Sequence, residues 1–368
     1  MLNPVSSTTR WSRVGLFVGL TFALTLALDL LIWVNGGLNN SGVGVALQAQ
    51  MLLPAFVAIG LGLFVFTDGP IHLSRVRGQA KIFLIGYLVF TLIFLALAAA
   101  GILMPSMVTV ISAVSGLFNI AALLAVVLLR LIGGRESFRK AGLTFGRPIH
   151  WLVFGGGLAL VYVLNTVLNW VFNLGTPVNP ALLVLSLGVP MSPTLLMILL
   201  VVQGALLGPF LGLLLAFGEE YGWRGFLQSE LIKFGRRRGI LLLGVIWGAW
   251  HWPLIWMGYN YPGEPVLGTI LMTLYTIALA FVFGYAVLKT GSVWLAAFIH
   301  AVNNQVLSTL MSLFYTPNSM IYSFGIGIYG LILMALVVAL ILRDPVWRET
   351  GPAPFTPEAG EPEIQPTY

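Results

Sequence analysis

Three short segments of this chain carry residue types that could do chemistry together, and each sits in or beside an apolar run. The first reads Phe217-Gly218-Glu219-Glu220-Tyr221-Gly222-Trp223-Arg224. On a helix, Glu220 and Arg224 share a face four residues apart and can pair as ions. Glu219 is turned about 100° away and has no such local partner. It is therefore the better candidate for a base, with Glu220 as its neighbour and Arg224 as the counter-ion. The second segment places His251 among aromatic residues, with Trp247 one helical turn earlier and able to pack on the imidazole. The third holds His300 and Asn304 on one helical face, two side chains that aim donors at one point. A base, imidazoles and paired donors are the ingredients of general acid–base chemistry.

Each segment alone has a structural explanation. Paired glutamates can mark a solvated helix end at a membrane surface. A lone histidine in an apolar span usually packs, and His300 with Asn304 could bond a neighbouring helix. Their combination is harder to explain that way. The chain has four histidines, and two of them lie in spans close to the glutamates in sequence order.

The elements that would position these groups are membrane helices. The chain has 368 residues, 58% hydrophobic and 8% charged, whereas soluble domains carry about 25% charged residues. Its solvent must be lipid, and the period-2 alternation of a barrel is absent, so the spans are expected to be helices. Candidate spans run over residues 14–33, 43–66, 82–104, 107–132 and 151–172. A long apolar stretch over 181–217 is broken by Pro190, Pro193 and Pro209, and further spans cover 240–257, 268–288, 293–314 and 321–342. With 181–217 counted as one crossing, this is an all-α bundle of about ten spans.

On that count all 18 basic residues fall on the side of the N-terminus, and the opposite loops carry only Glu264. Both termini are then expected to be cytoplasmic. The same placement explains the net charge of +6 without nucleic acid. The first apolar run is too long for a signal-peptide core and reads as a retained span. The absence of cysteine excludes disulfides and thiolate chemistry. Polar residues inside spans, such as Asn119, Asn165, Asn169 and Gln203, read as interhelical glue. Asp29, near the outer end of the first span, reads as partly hydrated. Residues 1–180 are expected to form accessory spans, 181–320 the helical core that would hold the candidate catalytic groups, and 321–342 a last span. The proline- and glutamate-rich stretch 343–368 is expected to be a disordered tail.

Depth gives a condition for the site. His251 lies about 20 Å into its helix and His300 about 10–15 Å into its own. Glu219 reaches them only if its helix continues to about Ile232 and lines a polar cavity.

The pattern Glu219-Glu220…Arg224, Trp247…His251 and His300…Asn304 resembles the CAAX-protease and bacteriocin-processing family (CPBP or ABI), which is related to type II CAAX prenyl endopeptidases. The resemblance covers roughly 204–312, and Trp247 stands where phenylalanine is commoner. It implies a metal-independent intramembrane glutamate protease without a cofactor, acting on peptides or protein tails at the plasma membrane of a prokaryote. In that scheme Glu219, assisted by His251, activates water. His300 and Asn304 donate to the oxyanion, while Glu220 and Arg224 hold the base in place. Preorganised donors are worth more in a low-dielectric cavity. Three other readings compete. Glu219, His251 and His300 could form a zinc site with an open position, although no HExxH helix is present. The chain could be a non-catalytic scaffold or bacteriocin-immunity protein, or a proton-coupled transporter.

Overall fold

The computed structural model describes residues 9–349. It is an all-α bundle. Helices α1 (Trp11–Val34), α2 (Val43–Phe64), α3 (Gly78–Leu103) and α4 (Val108–Leu129) are followed by the short α5 (Arg135–Lys140) and by α6 (Pro148–Val171). After α7 (Pro180–Leu187) and α8 (Pro193–Val201), a broken rod comprises α9 (Gly208–Leu211), α10 (Leu213–Glu220) and α11 (Gln228–Leu231). Then come α12 (Arg236–Trp256), α13 (Pro265–Thr290), α14 (Val293–Leu313) and α15 (Ile328–Ile341). Strands β1 (Gly175–Pro177) and β2 (Tyr315–Pro317) pair antiparallel and tie the loop after α6 to the end of α14.

Eight helices among the described residues are long and apolar enough to cross a membrane. The two further spans expected from sequence are α14 and α15. Helix α15 has only 14 residues, because residues 318–327 run as an irregular segment instead of starting the helix at Ile321. Helix α14 has 21 residues, enough to span, but it carries His300, Asn303, Asn304 and Gln305 along its length. Every residue from Val293 to Asn303 is buried, so α14 is the axis of the bundle, surrounded by α6, α9, α10 and α13. His300 and Asn303 face protein instead of lipid, and polar residues along the helix are why hydropathy understates it.

The stretch 181–217 is not one helix. Helix α7 stops at Gly188, whose φ of 63° is left-handed, and Pro190 prevents its continuation. Ser192 starts the next helix by accepting the Leu195 N–H at 3.2 Å, with Pro193 in the first turn. Beyond Gly212 the chain runs helically from Leu213 through Phe234, by way of a π-helical segment, Tyr221–Leu227, until Gly235 ends it at φ 121°. The condition set by depth is met: the helix bearing Glu219 extends past Ile232.

Two glycines let this helix lie against α2. A Cβ on Gly218 would sit 2.4 Å from the Met51 carbonyl oxygen, and one on Gly222 would sit 2.5 Å from Pro54. No larger side chain fits at that approach without backbone movement, so the glutamates are held at the middle of α2.

One end of the bundle is tied by charge. Asp68 binds both Arg10 and Arg13, Thr9 Oγ1 donates to the Glu230 carbonyl at 3.1 Å, and Lys289 meets Asp344 at 3.1 Å. These are segments that the charge distribution assigns to a single side. Residues 345–348, expected to belong to a disordered tail, form a 3-10 turn with Trp347 buried against Phe281 and Tyr285. The rest of that tail, 350–368, lies outside the described residues.

Candidate active site

The glutamate segment, α12 and α14 bring the sequence-predicted residues to one cavity of about 440 Å³. Glu219, Trp247, His251, His300 and Asn304 line it, together with Gln50, Trp250, Tyr275 and Asn303. Glu220 and Arg224 stand behind that wall, fully buried.

Glu219 is held from two directions. Trp247 donates its indole N–H to Oε2 at 2.7 Å, and Oε1 lies 3.8 Å from His300 Nε2. The Arg224 guanidinium lies over the same indole, 4.2 Å from the ring centroid, and 5.1 Å from that of Phe283. Trp247 thus offers a face to the cation and an edge to the base. From sequence it was expected only to pack on an imidazole, which it also does: its ring centroid is 6.0 Å from that of His251.

Glu220 does not hold Glu219. Its Oε1 accepts from Arg224 at 2.9 Å and from His300 Nδ1 at 2.7 Å. The pair Glu220–Arg224 therefore orients the histidine of α14, a correction to the role expected for it. The ion pair itself, read from the four-residue spacing, is present.

The hydrogen bonds also assign the tautomers. A carbonyl can only accept, so His251 Nδ1, 2.8 Å from the Trp247 carbonyl, carries a proton and leaves Nε2 as the free ring nitrogen. His300 Nδ1 likewise donates to the Glu220 carboxylate, so its Nε2 faces Glu219. Asn304 Oδ1 accepts from Asn303 Nδ2 at 2.8 Å, which leaves the Asn304 amide N–H groups to act as donors.

Asn303 was not singled out from sequence. Its Oδ1 accepts from Tyr275 at 2.7 Å and from Tyr162, and the two phenols are 2.9 Å apart. A chain of three uncharged groups from α6, α13 and α14 thereby sets the Asn304 amide. Nothing in the local spacing of Tyr162 or Tyr275 announces this.

Of the polar residues read as glue, Asn119 donates to the Leu211 carbonyl at 2.8 Å, and Asn169 bonds the Phe324 backbone. Among the described residues no three His, Asp or Glu side chains are disposed to hold a metal ion.

An all-α polytopic membrane protein with a glutamate–histidine–asparagine cluster lining one cavity is the class that fold and site define. Residues 194–306 match the family described as Type II CAAX prenyl endopeptidase Rce1-like. A 56-residue stretch is 39% identical to a protein of Methanococcus maripaludis named CAAX prenyl protease 2, covering 15% of this chain and 21% of that relative. The match spans about a fifth of the relative's length. No solved structure matches. These findings support the CPBP resemblance carried by the three motifs, and the matched segment contains all of them.

Proposed function

We propose that this protein is an intramembrane endopeptidase that hydrolyses membrane-associated peptides or protein tails with a water activated by Glu219. The observation that carries the reading is the convergence, in one cavity, of Glu219, His251, His300 and Asn304 from three segments. The Glu219 carboxylate accepts a proton from water while the free Nε2 of His251 accepts the water's second hydrogen bond. The hydroxide attacks the scissile carbonyl carbon. In this scheme His300, set between the two glutamates, is the imidazolium. Its Nδ1–H stays on Glu220 while its Nε2–H and the Asn304 amide donate to the oxygen as it gains charge, which is where preorganised donors accelerate acyl chemistry. Collapse of the tetrahedral intermediate breaks the C–N bond, and the proton on Glu219 passes to the leaving amine.

Trp247 keeps the base in place, and Glu220 with Arg224 keeps His300 in its donating orientation. No metal is required by this scheme. The relative's name makes prenylated CAAX tails the first substrates to test. The gathering of basic residues on one side supports cytoplasmic termini, and the proposed setting is a prokaryotic plasma membrane with substrate entering from that face.

The test is a proteomic comparison of membranes from cells carrying the wild type or Glu219→Ala. Uncleaved membrane-proximal peptides should accumulate in the variant. Identical peptide profiles from the two strains would contradict the reading.

A further inference from the structure

Helix α1 lies outside the segment that matches the endopeptidase family, yet it touches the site twice. Thr21, Thr25 and Asp29 recur every four residues on one face of an otherwise apolar helix, and all three are buried. Thr25 Oγ1 accepts the indole N–H of Trp250 at 2.7 Å. Trp250 stands edge-on to His251, with ring centroids 4.9 Å apart. One turn further along α1, Asp29 Oδ1 accepts from Gln50 Nε2 at 2.9 Å.

A buried carboxylate in a membrane helix is costly and needs a reason. Packing of α1 on α2 supplies one, but it does not explain the partner chosen. Gln50 lines the cavity that holds Glu219, His251 and His300. It also precedes Met51, the residue whose carbonyl oxygen touches the backbone of α10 at Gly218, next to Glu219. Its backbone is thus fixed relative to the base, and Asp29 fixes its side chain. With one Nε2 hydrogen committed to Asp29, the carboxamide retains one N–H and a carbonyl oxygen. That is one donor and one acceptor, the complement of a peptide unit, and it brings no charge.

We infer that Gln50, oriented by Asp29, binds a backbone amide of the substrate peptide beside the scissile bond, so that α1 and α2 form part of the substrate site. Gln50 is then a binding residue and Asp29 a positioning residue. This rests on the endopeptidase reading. An asparagine at position 29 still offers an oxygen to Gln50, so acceptor geometry and not charge is what the pair requires.

The experiment is steady-state hydrolysis of a quenched-fluorescent farnesylated CAAX peptide by the full-length protein in lipid nanodiscs, with thermal midpoints measured alongside. Gln50→Leu should raise KM about tenfold, the worth of one hydrogen bond, with kcat little changed. Asp29→Leu should do the same. The double variant should be no worse than either alone, because the two residues act as one unit. Asp29→Asn should keep the wild-type KM.

A purely structural Asp29 would lower the midpoint and leave KM unmoved, which would overturn the inference. So would a wild-type KM for Gln50→Leu, or an Asp29→Asn variant as impaired as Asp29→Leu. If Asp29→Leu does not fold, Gln50→Leu and Asp29→Asn decide the matter. A wild type that cleaves no peptide overturns the endopeptidase reading, and this inference with it. An active wild type with indifferent variants overturns this inference alone.

Discussion

His300 Nδ1 lies 2.7 Å from Glu220 Oε1, and the same oxygen lies 2.9 Å from Arg224. The two adjacent glutamates therefore serve different partners: Glu219 faces the cavity, and Glu220 anchors an imidazole from behind. Three consecutive buried groups, guanidinium, carboxylate and imidazole, convert an ion pair within one helix into the orientation of a ring on another.

Breaking that relay should cost stability as well as activity. The Glu220–Arg224 pair is fully buried, and leaving one buried charge unpaired costs about 3–5 kcal/mol. Glu220→Gln and Arg224→Leu are each expected to lower the thermal midpoint in detergent markedly. The double variant should recover part of the loss, since no lone charge remains. Simple additivity of the two effects would contradict the pairing.

Trp247→Phe removes one hydrogen bond and keeps most of the ring. The Glu219 carboxylate then loses its 2.7 Å donor, and peptide hydrolysis should fall by at least about tenfold, since a hydrogen bond to a charged group is worth about 1.5–3 kcal/mol. Thermal unfolding should change little, because an aromatic face remains for Arg224. A fully active Trp247→Phe would show that the indole only fills space.

Much of this arrangement was legible because ions are conspicuous in hydrocarbon. Glu219, Glu220, Arg224, His251 and His300 stand out in apolar runs, and four-residue spacing gave the Glu220–Arg224 pair directly. The long helix under the glutamates could be stated as a condition, since depth at 1.5 Å per residue demands it. What stayed hidden was partnership between distant segments. Whether Glu220 meets Glu219 or His300 depends on how α14 is rotated, and rotation leaves no local signature. Trp247 looked like packing because an indole serves equally as ring and as donor. Asn303, Tyr162 and Tyr275 carry no charge, and Asp29 finds Gln50 only after α1 and α2 dock. Hydropathy understates α14 for a related reason: the helix is polar because it is central.

At the end of the bundle, Asp68 offers a pH test. Burial opposes its ionisation, but the hydrogen bonds and charges of Arg13 and Arg10 outweigh that and lower its pKa from 3.8 to about 2. A depressed pKa contributes stability above the ordinary value, and the contribution disappears as the pH falls through the folded one. Asp68→Asn should therefore lower the thermal midpoint relative to wild type at pH 6, with the gap closing between pH 3.8 and about 2. A gap independent of pH would show that the ion pairs contribute nothing.

The zinc alternative makes a separable forecast. Hydrolysis should survive prolonged treatment with a strong chelator, and the purified active protein should contain less than stoichiometric zinc. Loss of activity on chelation, restored by added zinc, would replace the metal-free scheme.

The most direct measurement is hydrolysis of a defined peptide by purified wild-type protein and Glu219→Gln, both shown to be folded by their thermal transitions. The substitution keeps the shape and the acceptor for Trp247 but removes the base. A general base contributes about 10²–10⁴-fold, so the rate should fall at least a hundredfold while peptide binding persists. A folded Glu219→Gln that cleaves at the wild-type rate would contradict the assignment of Glu219 as the group that activates water.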